Sequence, residues 1–317
     1  EMAENLQLIF SQWGFDLKFC RPDLHIAGSP DRAVKREVLE STAGELFVIE
    51  MLPLANREAR ERQAYSLAYL ADRGLRGISP WLYTRTGSLG YVHEGHYWQL
   101  RRWIPGEPLP RETYALDAWR GGAAAEFLVR LRELSQESGF PGTTGHPFGL
   151  MHYIGHLMPH FQRQLPALVT DMAPMVQALQ GYGEFEAQAR TPFCHGDFHP
   201  GNLLWGEKAV NGVIDWEFCG RKPAGYDAAN ILGCLGMDDP AFLTGPMAAE
   251  FIGTLQRAGF LTTEEWHFLP DQIAALRFAW MREWVARRDK AMITQELDFI
   301  WLILDNRSLL RDKWKAQ

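Results

Sequence analysis

A proline-rich segment divides this chain of 317 residues into two halves with different patterns. Residues 105–110 contain three prolines and one glycine, and such a run continues neither a helix nor a central strand. Short apolar runs typical of strands precede it, and helical periodicity dominates after it. The length also exceeds what one hydrophobic core usually organises. The sequence therefore predicts two lobes, residues 1–104 and residues 105–317.

The two halves predict different secondary structure. Residues 33–39 and 46–52 are apolar-rich strand candidates separated by a Ser-Thr-Ala-Gly turn. Further predicted elements are a charged helix over 56–73, strands over 81–84 and 97–104, and helices over 116–135, 152–180, 248–258 and 270–310. We therefore expect the α+β class, with a small antiparallel-sheet N-terminal lobe and a larger, mostly helical C-terminal lobe.

One segment of the second half carries a recognisable chemical pattern. Residues 195–202 read His-Gly-Asp-Phe-His-Pro-Gly-Asn, and Asp215 follows after a short predicted hairpin. In an H-x-D-x-x-x-x-N loop, the aspartate, here Asp197, accepts a proton from the substrate hydroxyl. Asn202 and Asp215 offer the hard oxygen ligands that Mg²⁺ prefers. The pattern predicts a phosphoryl-transfer site.

Histidines near this loop suggest a competing interpretation as a zinc site. His195 and His199 are four residues apart, but Gly196 and Pro200 disfavour a helix between them and no third soft ligand is nearby. We predict that both histidines support the loop by hydrogen bonds. A second histidine series, interpreted as a partly exposed helix face, comprises His152, His156 and His160.

The loop, the Ile-Asp-Trp-Glu segment at 214–217 and the Gly-Tyr-Asp-Ala segment at 225–228 together resemble the aminoglycoside phosphotransferase and choline kinase superfamily. The resemblance spans most of the chain. It implies a bilobal protein-kinase-like fold that uses ATP or GTP with Mg²⁺. It also implies that Asp197 is the catalytic base, that Asn202 and Asp215 are metal ligands, and that Asp227 has a structural role beside the loop.

The same resemblance locates the nucleotide, with one departure. The third strand of the small lobe usually carries a lysine for the phosphates, but this chain has Glu50 there. A carboxylate repels a triphosphate, so Glu50 must point elsewhere or pair with Arg57, Arg60 or Arg62. A cation on the preceding strand or a glycine turn then serves the phosphates. The residues predicted to contact the nucleotide are Gly28, Ser29, Lys35, Arg36, Leu100, Arg101 and Trp103.

The acceptor is less constrained than the nucleotide. Trp280, Trp284 and Glu283 lie in a helical stretch where an aromatic wall can attract a cationic acceptor, although core packing explains the same tryptophans. Aminoglycoside, choline-like or ethanolamine-like, homoserine-like and sugar acceptors all stay open. Glu50 motivates a second hypothesis, a pseudokinase that binds nucleotide with little catalysis. A metal-dependent phosphohydrolase is disfavoured, because a two-metal set is missing from the pattern.

Composition sets the expected environment. The formal charge of −7 disfavours nucleic acid as a partner. No run approaches 18 uninterrupted apolar residues, and the four cysteines have neither metal-site spacing nor the density of a disulfide scaffold. We therefore expect a cytoplasmic protein that neither spans nor binds membranes.

Overall fold

The computed structural model describes residues 2–28 and 33–315. Antiparallel strands dominate the first third and helices the remainder, which confirms the predicted α+β class. The strands are β1 (Leu17–Cys20), β2 (Lys35–Ser41), β3 (Leu46–Pro53), β4 (Tyr91–His93), β5 (His96–Arg102), β6 (Phe193–Cys194), β7 (Leu203–Trp205), β8 (Val210–Val213) and β9 (Gly220–Arg221). The helices are α1 (Met2–Phe10), α2 (Arg57–Asp72), α3 (Ala118–Ser135), α4 (Leu150–Gln164), α5 (Pro166–Ala178), α6 (Gln180–Glu186), α7 (Tyr226–Asp238), α8 (Pro246–Arg257), α9 (Thr263–Arg287), α10 (Lys290–Asp305) and α11 (Arg307–Lys315).

Two of the long predicted helices are in fact interrupted. The helix predicted over 152–180 breaks at Leu165, whose φ of −143° is extended because a residue before proline avoids the helical region. The helix predicted over 270–310 breaks at Arg288, which is left-handed with φ 57°. The strand predicted at 81–84 is reduced to one bridge between Trp81 and Arg101. Strands β1 and β4 were not predicted, since both are short and partly exposed.

The main sheet has the order β1-β2-β3-β5-β4 and is antiparallel throughout. Side chains alternate between the two faces of a strand, so Phe47 and Ile49 face one way and Val48 and Glu50 the other. The Phe47 face packs on α1 and buries residues of both elements. The register places Arg36 opposite Glu50 and Val48 opposite Arg101. The face away from α1 therefore carries charged residues.

The described chain forms two compact units. The first comprises the residues up to 108 together with 137–142 and 201–218, and the second comprises 109–136, 143–200 and 219 onward. The hairpin β7–β8 lies in the first unit because Val213 N–H donates to Gly77 O (2.7 Å) and Glu107 N–H donates to Trp205 O (2.9 Å). The lobe boundary after residue 104 stays a prediction, and residues 201–218 cluster with the sheet rather than with the helices.

The second unit consists mainly of packed helices. Helix α3 packs against α8, and α9 packs against α7 and α10. Gly121 permits the close approach of α3 to α8, since a Cβ at this position would lie 2.0 Å from the Met247 carbonyl oxygen. Within the described part of the chain, no helix combines the length and the apolar character needed to cross a bilayer.

Helix α9 begins with a capping box whose acid also holds a distant arginine. Glu265 N–H donates to Thr262 Oγ1 (3.2 Å), Thr262 N–H donates to Glu265 Oε2 (2.8 Å), and Arg190 Nε donates to Glu265 Oε1 (2.8 Å). Burial acts to raise the pKa of Glu265. Arg190 and the Thr262 amide together lower it by more, so the net pKa lies below its ordinary value.

We expect Glu265→Gln to lower the free energy of unfolding at pH 7 by about 1–3 kcal/mol, because buried charge-assisted hydrogen bonds are lost. A depressed carboxyl pKa contributes stability above the unfolded-state pKa, and this stability disappears as the pH falls through the folded-state pKa. Thermal melts at several pH values should therefore show the wild-type advantage shrinking below about pH 4.5. The exposed neighbour provides the control, Glu264→Gln, and an advantage equally large in acid would contradict the assignment.

Candidate active site

A mainly apolar cavity lies in the first unit. Ile26, Val48, Leu204 and Ile214 line it together with Trp103. Trp103 is positioned by its indole Nε1–H, which donates to His25 O (3.1 Å). A mainly apolar lining with a few polar groups suits an aromatic base.

A second cavity shares Ala27, Arg101 and Ile214 with the first, so the two adjoin. Its lining combines charged and apolar side chains. Among the described residues, the charged side chains that line it are Arg36, Glu50, Arg60, Arg101 and Asp215. An elongated ligand with an apolar end and a charged end would match the pair of cavities.

The backbone turn at Gly28 borders the charged cavity. Gly28 has φ 92°, and a Cβ there would lie 3.4 Å from Ile214 Cδ1 and 3.7 Å from Asp215 Oδ2. The Arg36 guanidinium donates to Gly28 O (3.2 Å), which ties the turn to β2. Two predicted nucleotide residues, Gly28 and Arg36, thus meet at this cavity, whereas Ser29 lies outside the described residues.

Two other predicted nucleotide residues point to the opposite face of the sheet. Lys35 forms an ion pair with Glu37 (3.1 Å), and Leu100 is fully buried in the core against α1. Both follow from the alternation that directs Arg36 and Arg101 to the cavity face. The structure therefore brings Arg36, Arg101 and Trp103 to the cavities and does not bring Lys35 or Leu100 there.

The two predicted metal ligands lie in the first unit at the base of the β7–β8 hairpin. Asn202 is buried, and its carbonyl oxygen accepts a hydrogen bond from Ile214 N–H (3.0 Å). That bond brings the backbone of residue 202 next to the residue preceding Asp215. Asp215 has φ 67°, a left-handed conformation that costs free energy for most residues but is tolerated by Asp and Asn. A residue with an uncommon backbone conformation whose side chain lines a charged cavity is typical of a functional site.

The loop that contains Asp197 lies in the second unit and is fixed by Asp227. His195 N–H donates to Asp227 Oδ2 and Gly196 N–H donates to Asp227 Oδ1, both at 2.8 Å. Asp197 N–H donates in turn to His195 Nδ1 (3.2 Å), and the His195 ring is fully buried. Burial raises the pKa of Asp227, while His195 and the two backbone amides oppose the rise. This geometry fits the predicted supporting roles of His195 and Asp227.

His199 is the second histidine of the loop. Its Nε2 lies 3.7 Å from Asp197 Oδ2, and its ring meets the Trp280 ring edge-on with 5.8 Å between centroids. In the part of the chain that the structure describes, no group of three or more His, Cys, Asp or Glu residues is placed to hold a metal ion. His199 therefore connects the catalytic carboxylate candidate to an aromatic side chain.

The predicted acceptor residues separate into two groups. Trp280 contacts His199, as described above. Trp284 instead donates from Nε1 to Glu296 Oε1 (3.0 Å), and the exposed Glu283 pairs with Arg287. Of the three, Trp280 is the one that the structure places beside the loop.

One basic residue and one ion pair near these sites escaped the sequence analysis. Lys222 is buried, with its Nζ 4.5 Å from the Phe148 ring centroid and 5.0 Å from that of Tyr226. Burial lowers its pKa, while Cys194, Asp227 and Asp197 act to raise it. No local pattern marks this lysine. The pairing of Glu50 with Arg101 (3.9 Å) was also missed, although strand alternation places the two on one face.

The antiparallel sheet followed by a mostly helical part is the arrangement of a kinase-like fold. A profile of the phosphotransferase enzyme family matches residues 37–269. The chain belongs to this family, and the predicted superfamily resemblance is confirmed. Comparison with curated protein sequences gives no match.

Solved structures show the same fold at low sequence identity. The amicoumacin kinase hAmiN, in complex with AMP-PNP, Ca²⁺ and Ami, is 14% identical with a TM-score of 0.68, over 96% of this chain and 94% of that chain. An aminoglycoside phosphotransferase from Alicyclobacillus acidocaldarius is 15% identical with a TM-score of 0.62, over 98% and 95%. A spectinomycin phosphotransferase in complex with ADP and spectinomycin is 14% identical with a TM-score of 0.55, over 98% and 97%.

Proposed function

We propose that this protein transfers the γ-phosphoryl group of ATP or GTP to a hydroxyl group of a small molecule. The observation that carries the proposal is the pair of adjoining cavities in the first unit, one mainly apolar and the other containing charged side chains, with Asp215 lining the second. A purine base and a polyphosphate match these two cavities. Family membership supplies the reaction class.

The chemistry assigned to the loop is general-base catalysis. The acceptor oxygen attacks the γ-phosphorus, the bond from that phosphorus to the bridging oxygen breaks, and the hydroxyl proton passes to Asp197. Asp227 holds the backbone of His195 and Gly196, so it orients Asp197 through the loop. Lys222 contributes positive charge in the same unit.

The donor set also fits a divalent cation. Asn202 and Asp215 would hold Mg²⁺ with one amide oxygen and one carboxylate, which is the small number of protein ligands that this ion accepts beside phosphate and water. When bound, Mg²⁺ neutralises charge on the phosphate oxygens. The left-handed backbone conformation of Asp215 sets the direction of the carboxylate that would bind the ion.

The acceptor class we favour is a hydroxylated amine. Trp280 beside His199 provides an aromatic ring near the acid Asp197, and cationic amines are attracted to the faces of aromatic rings and to carboxylates. Aminoglycosides, choline-like or ethanolamine-like alcohols and homoserine-like alcohols satisfy this description, and neutral sugars serve as the contrasting set. The four cysteines are free, which suits a reducing compartment such as the cytoplasm.

A pseudokinase is the second candidate, and the observation that favours it is Glu50. Glu50 is 7% exposed and lines the charged cavity. It occupies the strand position where the family usually has a lysine. An acceptor panel of the alcohols and sugars named above separates the two candidates. Turnover of nucleotide with any member of this panel would exclude the pseudokinase. Nucleotide binding without turnover across the panel would favour it.

The metal assignment predicts how nucleotide binding depends on Asp215. Wild-type protein with ATP at about 100 times its Kd should gain about 2.7 kcal/mol of stability, visible as a higher Tm that requires Mg²⁺. We expect Asp215→Asn to reduce the Tm gain to that seen with ATP alone, because one anionic ligand is lost. Asparagine tolerates the left-handed backbone, so the change isolates the charge.

The matched control is Asp72→Asn, which removes a carboxylate from an exposed position in the same unit. It should retain the full Mg²⁺-dependent gain. A full gain in Asp215→Asn as well would disprove the ligand assignment, and a wild-type protein without any gain from ATP or GTP would disprove the nucleotide proposal.

A further inference from the structure

In the charged cavity, a carboxylate occupies the strand position where the family usually has a lysine, and the cations come from other elements. The carboxylate of β3 faces three arginines from three different elements, namely Arg36 of β2, Arg60 of α2 and Arg101 of β5. Glu50 was predicted either to point elsewhere or to pair with an arginine of the following helix. The structure pairs it instead with Arg101, with 3.9 Å from Arg101 Nη2 to Glu50 Oε1.

The other helix candidates are engaged elsewhere. Arg57 pairs with Glu61 (2.9 Å) and Arg62 with Glu58 (3.9 Å). Arg60 lines the cavity but pairs with Glu217 (3.9 Å). Glu50 therefore anchors a cation that comes from the neighbouring strand.

Arg101 is the best placed of the three arginines to meet a ligand. It lines both of these cavities, whereas Arg36 and Arg60 line the charged one and not the apolar one. Its side chain is 12% exposed, so contact with a ligand would be largely shielded from water. A separation of 3.9 Å is an ion pair rather than a hydrogen bond, and a guanidinium has five N–H donors, so this contact does not exhaust its donors.

The charge balance of the cavity favours an anion once a cation is bound. Three arginines and two carboxylates line it in the described part of the chain, Glu217 offsets Arg60, and the cation proposed above at Asp215 makes the balance positive. Burial lowers the pKa of Arg101, Glu50 raises it, and Arg36 lowers it further, yet an arginine stays protonated at neutral pH. A partly buried excess of positive charge is stabilised by a polyphosphate.

We propose that Arg101 is the phosphate-binding cation of this protein and that Glu50 is the residue that positions it. This inference rests on the proposed function, because the ligand is the polyphosphate of the nucleotide. Arg36 assists by holding the Gly28 turn through its hydrogen bonds to the carbonyl oxygens of Ala27 (3.4 Å) and Gly28 (3.2 Å). The lysine of the usual pattern is thus replaced by an arginine on another strand, and Glu50 is its anchor.

The test compares ATP, ADP and adenosine by isothermal titration calorimetry on the full chain. We expect Arg101→Met to weaken ATP and ADP binding by about 10- to 100-fold, since a charge-assisted hydrogen bond is lost, and to leave adenosine affinity unchanged. Methionine keeps an unbranched apolar stem beside the base cavity. Unchanged ATP affinity in this variant overturns the inference.

The neighbouring residue provides a matched control. Arg102 follows Arg101 on the same strand, faces the side of the sheet that packs on α1, and pairs with Glu45 (2.7 Å). Arg102→Met should keep wild-type affinity for all three ligands. An equal loss in both variants would mean that overall charge, rather than Arg101, determines binding, and would overturn the inference.

A second pair of variants covers the case in which Arg101→Met does not fold because Glu50 is left unpaired. The double change Arg101→Met with Glu50→Met replaces a buried ion pair by apolar side chains, which is often tolerated, and it should show the same selective loss of ATP and ADP. Glu50→Lys should give no gain in ATP affinity, because Arg101 already supplies the cation. A gain above about tenfold would overturn the inference.

Failure of this inference is distinguishable from failure of the proposed function. Acceptor phosphorylation with an unchanged KM for ATP in Arg101→Met would refute the arginine assignment and leave the kinase proposal standing. Arg101-dependent ATP binding without phosphorylation of any acceptor would refute the kinase proposal alone. Absence of any phosphate-dependent binding by the wild-type protein would refute both.

Discussion

Replacing Asp197 by asparagine is expected to lower kcat by about 10²- to 10⁴-fold, the usual range for loss of a general base. Nucleotide affinity should stay close to the wild-type value, because Asp197 is not among the residues that line the cavities assigned to the nucleotide. Asparagine preserves the size of the side chain but accepts no proton. The measurement is a coupled assay of nucleotide turnover with the acceptor that wild type uses, together with calorimetric Kd values for ATP.

The control for this variant is a second Asp-to-Asn change in the same unit. Asp312 is exposed on α11, and Asp312→Asn should retain wild-type kcat and Kd. Turnover within about tenfold of wild type in Asp197→Asn would remove Asp197 from the role of base. A parallel loss of ATP affinity would mean that the carboxylate acts in binding rather than in proton transfer.

The second large effect is expected at Asp227. Asp227→Ala removes a buried carboxylate that accepts two backbone N–H groups at 2.8 Å. Each unsatisfied buried donor costs about 1–3 kcal/mol, so the free energy of unfolding should fall by about 2–6 kcal/mol, and Tm should fall accordingly. Activity should fall as well, because Gly196, with φ 86°, immediately precedes Asp197 and loses its fixed position.

Asp227→Asn separates the two consequences. Its amide oxygen can still accept one backbone hydrogen bond but its NH₂ cannot accept the other, so the loss of stability should be intermediate between wild type and alanine. Thermal unfolding and single-turnover kinetics on the same preparations provide the comparison. Equal stability of wild type and Asp227→Ala would show that the loop does not depend on this carboxylate.

Local patterns predicted much of this protein because local physics controls them. The apolar-rich run over 46–52, the proline-rich break at 105–110 and the spacing from His195 to Asn202 each involve residues that are close along the chain. Hydrogen bonding within such a segment and its hydrophobic periodicity are encoded where they act. The α+β class and the superfamily resemblance followed from these segments.

Other features required contacts between distant segments. The pairing of Glu50 with Arg101 depends on the register of β3 against β5, which a single sequence does not specify. The placement of Lys35 on the α1 face and Arg36 on the cavity face follows from the register of β2 against β3, since a shift of one residue would exchange them. The break at Leu165 is different, because it depends on the adjacent proline and the sequence alone could have predicted it.

The sequence by itself therefore determined the class of fold, the loop around Asp197 and the chemical types of the groups available for phosphoryl transfer. Only the tertiary structure decided which arginine meets Glu50, that residues 201–218 join the sheet unit, and that Trp280 rather than Trp284 lies beside His199. The physical reason is that periodicity and turn chemistry act over a few residues, whereas strand register and helix packing are set by the burial of side chains far apart in the chain.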